Sequence, residues 1–274
     1  MLRVPKPLGK FYADRGPHLA AMIAYFALLS FVPLLFLTIS LLSLAGRPDE
    51  SSYLVTELKR AFPGTSITSI VHTVDEIQKH ATALGIIGGA ALLWTSLSLF
   101  SVLESAFNIV YGKPNRSFLR GKLLAVGLML LSLVTPFVGL LIGSFGFDLL
   151  KRYAGGLAEN AFVAYGLSVG VSLIAVFVFL VAVYYLLTNV EHSFPDVLPG
   201  AVVAAVLLEA SFQVLPLYVR FSSNVVALKA FGGPALLLVW LYVMANAIVF
   251  GAEVNWWLME RRRTAELDEA SGLA

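Results

Sequence analysis

The chain has 274 residues, of which 58% are apolar before glycine is counted. Its 22 Gly raise that share to roughly 66%, against about 45–50% in soluble domains, and its 13% charged residues are about half the usual share. A water-soluble domain is excluded. The formal charge of +2, from 19 Lys and Arg against 17 acids, leaves no dense basic patch and hence no nucleic-acid partner. With no Cys, disulfides, thiol catalysis and cysteine metal sites are excluded as well.

The charges gather at the chain ends and in a few short stretches, and the runs between them read as membrane spans. Crossing about 30 Å of hydrocarbon takes roughly 20 apolar residues in a helix. Six windows of that length are predicted in chain order: Leu19–Leu44, Thr82–Val110, Leu123–Phe147, Ala161–Thr188, Val197–Val219 and Gly232–Leu258. The fold class is therefore an all-α membrane protein with six transmembrane helices. Residues 1–18 form an N-terminal segment, 19–258 the six-helix domain and 259–274 a tail. The first apolar run is too long for a cleavable signal peptide and lacks a small-residue cleavage site, so it is expected to stay.

Orientation follows from Lys and Arg in short flanks. Arg3, Lys6, Lys10 and Arg15 precede span one; Lys113, Arg116, Arg120 and Lys122 follow span two; Arg261, Arg262 and Arg263 follow span six. All three clusters predict a cytoplasmic side, with both termini there. Trp256 and Trp257 fit an interfacial belt on that side. Between spans one and two, residues 47–80 carry Ile67, Ile70, Val71, Val74 and Ile77 at helical spacing. That segment reads as amphipathic helix at the outer surface, either a static cap or a lipid-contacting lid.

Ionisable groups inside spans are costly and rare, so each is a functional candidate. The three are Glu104, Glu209 and Glu253. Glu104 and Asn108 share a face of span two; Glu209 and Gln213 share one of span five; Asn246 and Glu253, seven apart, share one of span six. Together with Asn255 they make the candidate binding set, expected to line one polar interior. The plainer alternative is interhelical contact, with Glu104 and Glu253 reaching Arg116, Arg120 or the tail arginines. Glu209, nearest mid-membrane, is the strongest functional candidate, able to relay a proton, bind a cation or hold a polar head group.

The pairs Gly85 and Gly89, Gly139 and Gly143, and Gly166 and Gly170 are predicted to let helix backbones approach. Pro33, Pro136 and Pro216 are predicted hinges or cavity-openers. No catalytic residue, metal site or cofactor is assigned: His18, His72, His80 and His192 are scattered, and no nucleotide-binding Gly loop occurs.

Ser30, Phe31 and Pro33 in span one, Leu93, Trp94, Phe100 and Ala106-Phe107-Asn108 through Tyr111-Gly112 in span two, Leu198-Pro199-Gly200-Ala201 with Glu209, and Gly251-Ala252-Glu253-Val254-Asn255 form a specific combination. Over about Ala20 to Trp257 it resembles the YihY/BrkB family of bacterial inner-membrane proteins. The chain departs from that family at Phe231-Gly232-Gly233-Pro234 and at Glu104. The resemblance implies six spans, cytoplasmic termini and a place in the inner membrane. It also implies a loose link to envelope integrity and lipid export, hence a transporter or flippase of an amphipathic envelope lipid, with membrane lipids and a homo-oligomer or envelope protein as partners. A non-transporting envelope scaffold and a small-solute or ion transporter are the alternatives. An old family label, ribonuclease BN, is opposed by the residues, since phosphodiester cleavage needs clustered metal ligands or paired acid and base groups in water.

Overall fold

In a computed structural model, residues 5–44, 81–128, 131, 161–191, 193–222 and 226–270 are described, and those in regular structure are helical, with no strand among them. The helices are α1 (Pro7–Ala13), α2 (Gly16–Leu44), α3 (Ala81–Val110), α4 (Ala161–Leu187), α5 (Phe194–Ser222) and α6 (Val226–Ala270). Residues 118–128 are helical too.

Helix ends follow local chemistry. Pro7 opens α1, where a missing N–H costs nothing. Arg15, in a left-handed conformation at φ 57°, separates α1 from α2. Gly112, at φ 62°, ends α3: its N–H reaches the Ile109 carbonyl at 3.0 Å and that of Lys113 reaches Asn108 at 2.7 Å. This is the paired closure for which a left-handed glycine is favoured. At the start of α5 the Asp196 carboxylate reaches back to Ser193, accepting from its N–H at 2.9 Å and its hydroxyl at 2.6 Å, which is the acidic half of a capping box.

Four helical stretches among the described residues are long and apolar enough to cross a membrane: Ile86–Val110, Tyr165–Leu187, Phe194–Val214 and Ala235–Glu269. They fall on expected spans two, four, five and six. Span one lies in α2, whose Gly16–Phe31 part is a shorter apolar helix. Most of span three lies outside the described residues, as do the amphipathic segment 47–80, Pro136, Gly139 and Gly143. α2 continues through the buried Pro33, and α5 through Pro216.

The chain divides into two compact units. Unit 1 comprises Met1–Ala20, Leu103–Ala210 and Asn246–Ala274; unit 2 comprises Ala21–Val102 and Ser211–Ala245. In unit 1 the core gathers Phe107, Leu128, Leu180, Tyr184, Leu187 and Val249, with the Phe107 and Tyr184 rings edge-to-face at 5.2 Å. In unit 2, Phe212 and Trp240 stack edge-to-face at 5.5 Å. At Gly166 and Gly170 a Cβ would meet no described atom within 4 Å. A close crossing lies between α5 and α6, where a Cβ on Gly200 would clash with the Gly251 carbonyl oxygen. Gly85 and Gly89 lie within α3.

Candidate functional site

Glu209 projects from the middle of α5 and is 7% exposed. Ser172 of α4 donates its hydroxyl to Glu209 Oε2 at 2.8 Å. A carboxyl in apolar surroundings needs such a donor, because a polar atom left unpaired there is expensive. Gln213, expected on the same face, is exposed.

Glu104 and Asn108, both buried near the end of α3, are engaged by the turn that follows. The Arg116 backbone N–H donates to Glu104 Oε1 at 3.1 Å, and its guanidinium lies 3.7 Å from the same oxygen. That guanidinium also donates to the carbonyls of Leu187, at 2.5 Å, and Thr188, at 2.7 Å. It thereby satisfies the otherwise orphan end of α4. A Cβ on Gly121 would stand 2.8 Å from Glu104 Oε2, so the carboxylate occupies the space of a missing side chain. Asn108 accepts from the Asn189 N–H at 2.8 Å and donates to Asn115 Oδ1 at 3.1 Å. Asn189 in turn donates to the Pro114 carbonyl at 3.0 Å. Of the contacts foreseen for Glu104, the one with Arg116 is present, and it ties helix ends together.

Glu253 of α6 is fully buried, and its partner is Lys10 of α1 rather than a tail arginine. The Lys10 ammonium stands 3.2 Å from Glu253 Oε2 and pairs with Asp14. It donates to the Val110 carbonyl at 2.6 Å and sits 4.2 Å from the centre of the Trp256 ring. One cation thus joins α1, the end of α3 and α6. Asn255 faces α5, accepting from the Gly200 N–H at 2.6 Å, while its Nδ2 is buried without a partner among the described residues. Gly251 is held between Tyr184 Oη and the Gly200 carbonyl, at 2.3 and 2.7 Å from where its Cβ would be. Tyr184 donates to the Ile248 carbonyl at 2.7 Å. Asn246 is half-buried. Burial pushes the Tyr111 phenol well above its ordinary pKa, and the Asp196 and Glu253 carboxylates add to the effect, so it stays a neutral hydroxyl.

The seven candidates therefore have different settings. Glu104, Asn108, Glu253 and Asn255 hold helix ends and crossings in unit 1, and Glu209 is enclosed with a hydroxyl donor. Lys10, Ser172 and the capping role of Arg116 were not singled out from the sequence. The available signal for Lys10 was its place four residues before Asp14, one helical turn away. Among the described residues no group of three or more His, Asp or Glu is placed to hold a metal ion.

Long apolar helices with few buried charges define a helical integral membrane protein. The profile of the family described as Virulence factor BrkB matches residues 8–272, and the chain belongs to that family. It is 27% identical over 263 residues to the ribonuclease-like protein YfkH of Bacillus subtilis (strain 168), covering 93% of this chain and 94% of that one. A UPF0761 membrane protein of Chromohalobacter salexigens is 28% identical over 264 residues, 93% of this chain and 62% of the relative. One from Tolumonas auensis is 27% identical over 257 residues, 89% of this chain and 81% of the relative. No solved structure matches.

Proposed function

We propose that the protein binds or moves an amphipathic envelope lipid across the bacterial inner membrane, with six spans and both termini in the cytoplasm. The observation that carries the reading is the enclosed Glu209 carboxyl with its Ser172 donor, deep in a helix long enough to span. Intramembrane acids are kept where a polar group or proton must be handled away from water. The basic clusters flanking spans one, two and six support the orientation. The sequence carries no nucleotide-binding Gly loop, so movement would be passive or ion-driven.

The ribonuclease-like name belongs to YfkH, and hydrolysis is not part of this reading. The Glu104 carboxylate is engaged by Arg116, and Ser101 donates to the Leu97 carbonyl at 2.7 Å. Purified protein placed in vesicles with labelled lipids of several classes tests the proposal. Faster transbilayer movement of at least one class than in protein-free vesicles supports it, and equal movement in every class overturns it. Proton flux coupled to a soluble substrate would favour the ion-transporter alternative.

A further inference from the structure

One end of unit 1 is defined by its own contacts. Lys10 links Val110 to Glu253, Arg116 joins the end of α4, and Arg262 pairs with Asp196 at 2.8 Å. The ends of α3 and α4, the start of α5 and residues 253–262 of α6 therefore lie together, with α1 among them.

α1 has two contrasting faces. Phe11 is buried, its ring 6.0 Å from that of Phe250, and Lys10 is held as described. Leu8 and Tyr12, one turn apart, are 58% and 66% exposed. The left-handed Arg15 keeps α1 from simply prolonging α2, so this face is not the continuation of a span.

The segment after α3 repeats the pattern. Helical residues 118–128 bury Gly121, Ala125 and Leu128 on one side, while Phe118 is 80% and Leu119 70% exposed. Lys113 and Arg120 are exposed beside them, the Lys122 ammonium lies 5.6 Å from the Phe118 ring, and residues 111–128 contain no acid. On α6, Arg261 stacks on Trp257 at 4.8 Å.

Water does not favour apolar faces of this kind, and monomeric proteins rarely keep them unless something covers them. Here the exposed aromatic and aliphatic groups are interleaved with cations at the end of unit 1 where α3 and α4, both long enough to cross a membrane, come to their ends. Aromatic rings and Lys or Arg at that level suit the head-group layer, and the cations suit an anionic one.

We propose that this end of unit 1 is a contact surface for an anionic phospholipid membrane, with Leu8, Tyr12, Phe118 and Leu119 seated among the head groups and Lys113 and Arg120 drawing in anionic lipid. α1 acts as a foot, pinned to the protein by Lys10 and Phe11 and to the bilayer by its other face. The surface is independent of whether the protein transports anything, and its test does not measure transport.

The natural absence of Cys makes the test direct. Single variants Leu8→Cys, Leu119→Cys and, on the exposed tail, Glu266→Cys are spin-labelled in the full chain and placed in phosphatidylcholine vesicles containing phosphatidylglycerol. Collision with oxygen should exceed collision with a water-soluble nickel chelate at positions 8 and 119, and the order should reverse at 266. Native mass spectrometry of protein from the same mixture should show phosphatidylglycerol enriched over phosphatidylcholine. Lys113→Gln and Arg120→Gln should each lower that enrichment about three- to fivefold. Both positions are exposed, so either variant alone suffices if the other fails to fold. A water-like collision profile at 8 and 119 overturns the proposal. So does shielding from both quenchers, which would mean that protein covers the face, and so does an unchanged lipid ratio in the variants.

Discussion

The polar contacts described in the two units differ in kind. In unit 1 the partners come from different elements: Lys10 with Glu253, Arg116 with Glu104 and the end of α4, Asn108 with Asn189, Asn255 with Gly200, and Ser172 with Glu209. In unit 2 the hydroxyls described with partners bond back along their own helix, Ser30 to Phe26, Thr95 to Ala91, Ser98 to Trp94 and Ser101 to Leu97. A bond between elements fixes how they are placed, whereas a back-bond within one helix fixes nothing beyond that helix. Among the contacts described, the polar ties between different elements lie in unit 1.

Substitutions that exploit this contrast rank by how much each leaves stranded. The largest loss is expected for Glu253→Ala, which leaves the Lys10 ammonium without its buried partner; destabilisation of about 3–5 kcal/mol should appear as early thermal unfolding of detergent-purified protein. Replacing both, as Lys10→Met with Glu253→Leu, should recover much of it, because a buried pair is harder to break than to exchange for apolar groups. Gly251→Ala should cost about 1–3 kcal/mol by the same assay, since its Cβ meets Tyr184 Oη and the Gly200 carbonyl. Asn108→Ala strands the Asn189 N–H and should cost about 1–3 kcal/mol, with faster amide exchange at the Asn189 turn. Thr95→Val in unit 2 should fall within about 0.5 kcal/mol, because the helix keeps its own ladder. A large effect from that last change would break the contrast between the units.

How far the sequence reveals this depends on whether a feature is local. Apolar runs show directly where helices cross, and four described helices coincide with expected spans. The Gly112 stop and the Ser193–Asp196 cap are short-range chemistry of the same kind. The Gly200–Gly251 crossing is different, for it takes one glycine from each of two helices, while a search along one chain segment favours pairs such as Gly166 and Gly170. The Glu104–Arg116 contact, one of those open to Glu104 and Glu253 among Arg116, Arg120 and the tail arginines, is legible because a turn brings residues 12 apart together. The cation beside Glu253 is Lys10, from the far end of the sequence, which no local reading reaches. Ser172 gives no sequence signal, because a serine in a span commonly bonds its own helix, as Ser30 and Ser98 do.

Glu209 is a buried acid of unit 1 that accepts from the Ser172 hydroxyl, and it is the centre of the proposed activity. Transbilayer lipid movement in vesicles holding wild-type protein, Glu209→Gln or Glu104→Gln tests that directly. The account predicts that wild type and Glu104→Gln, if folded, speed movement alike, while Glu209→Gln slows it about tenfold, the effect of roughly 1.4 kcal/mol on a barrier. Equal rates for wild type and Glu209→Gln would contradict it.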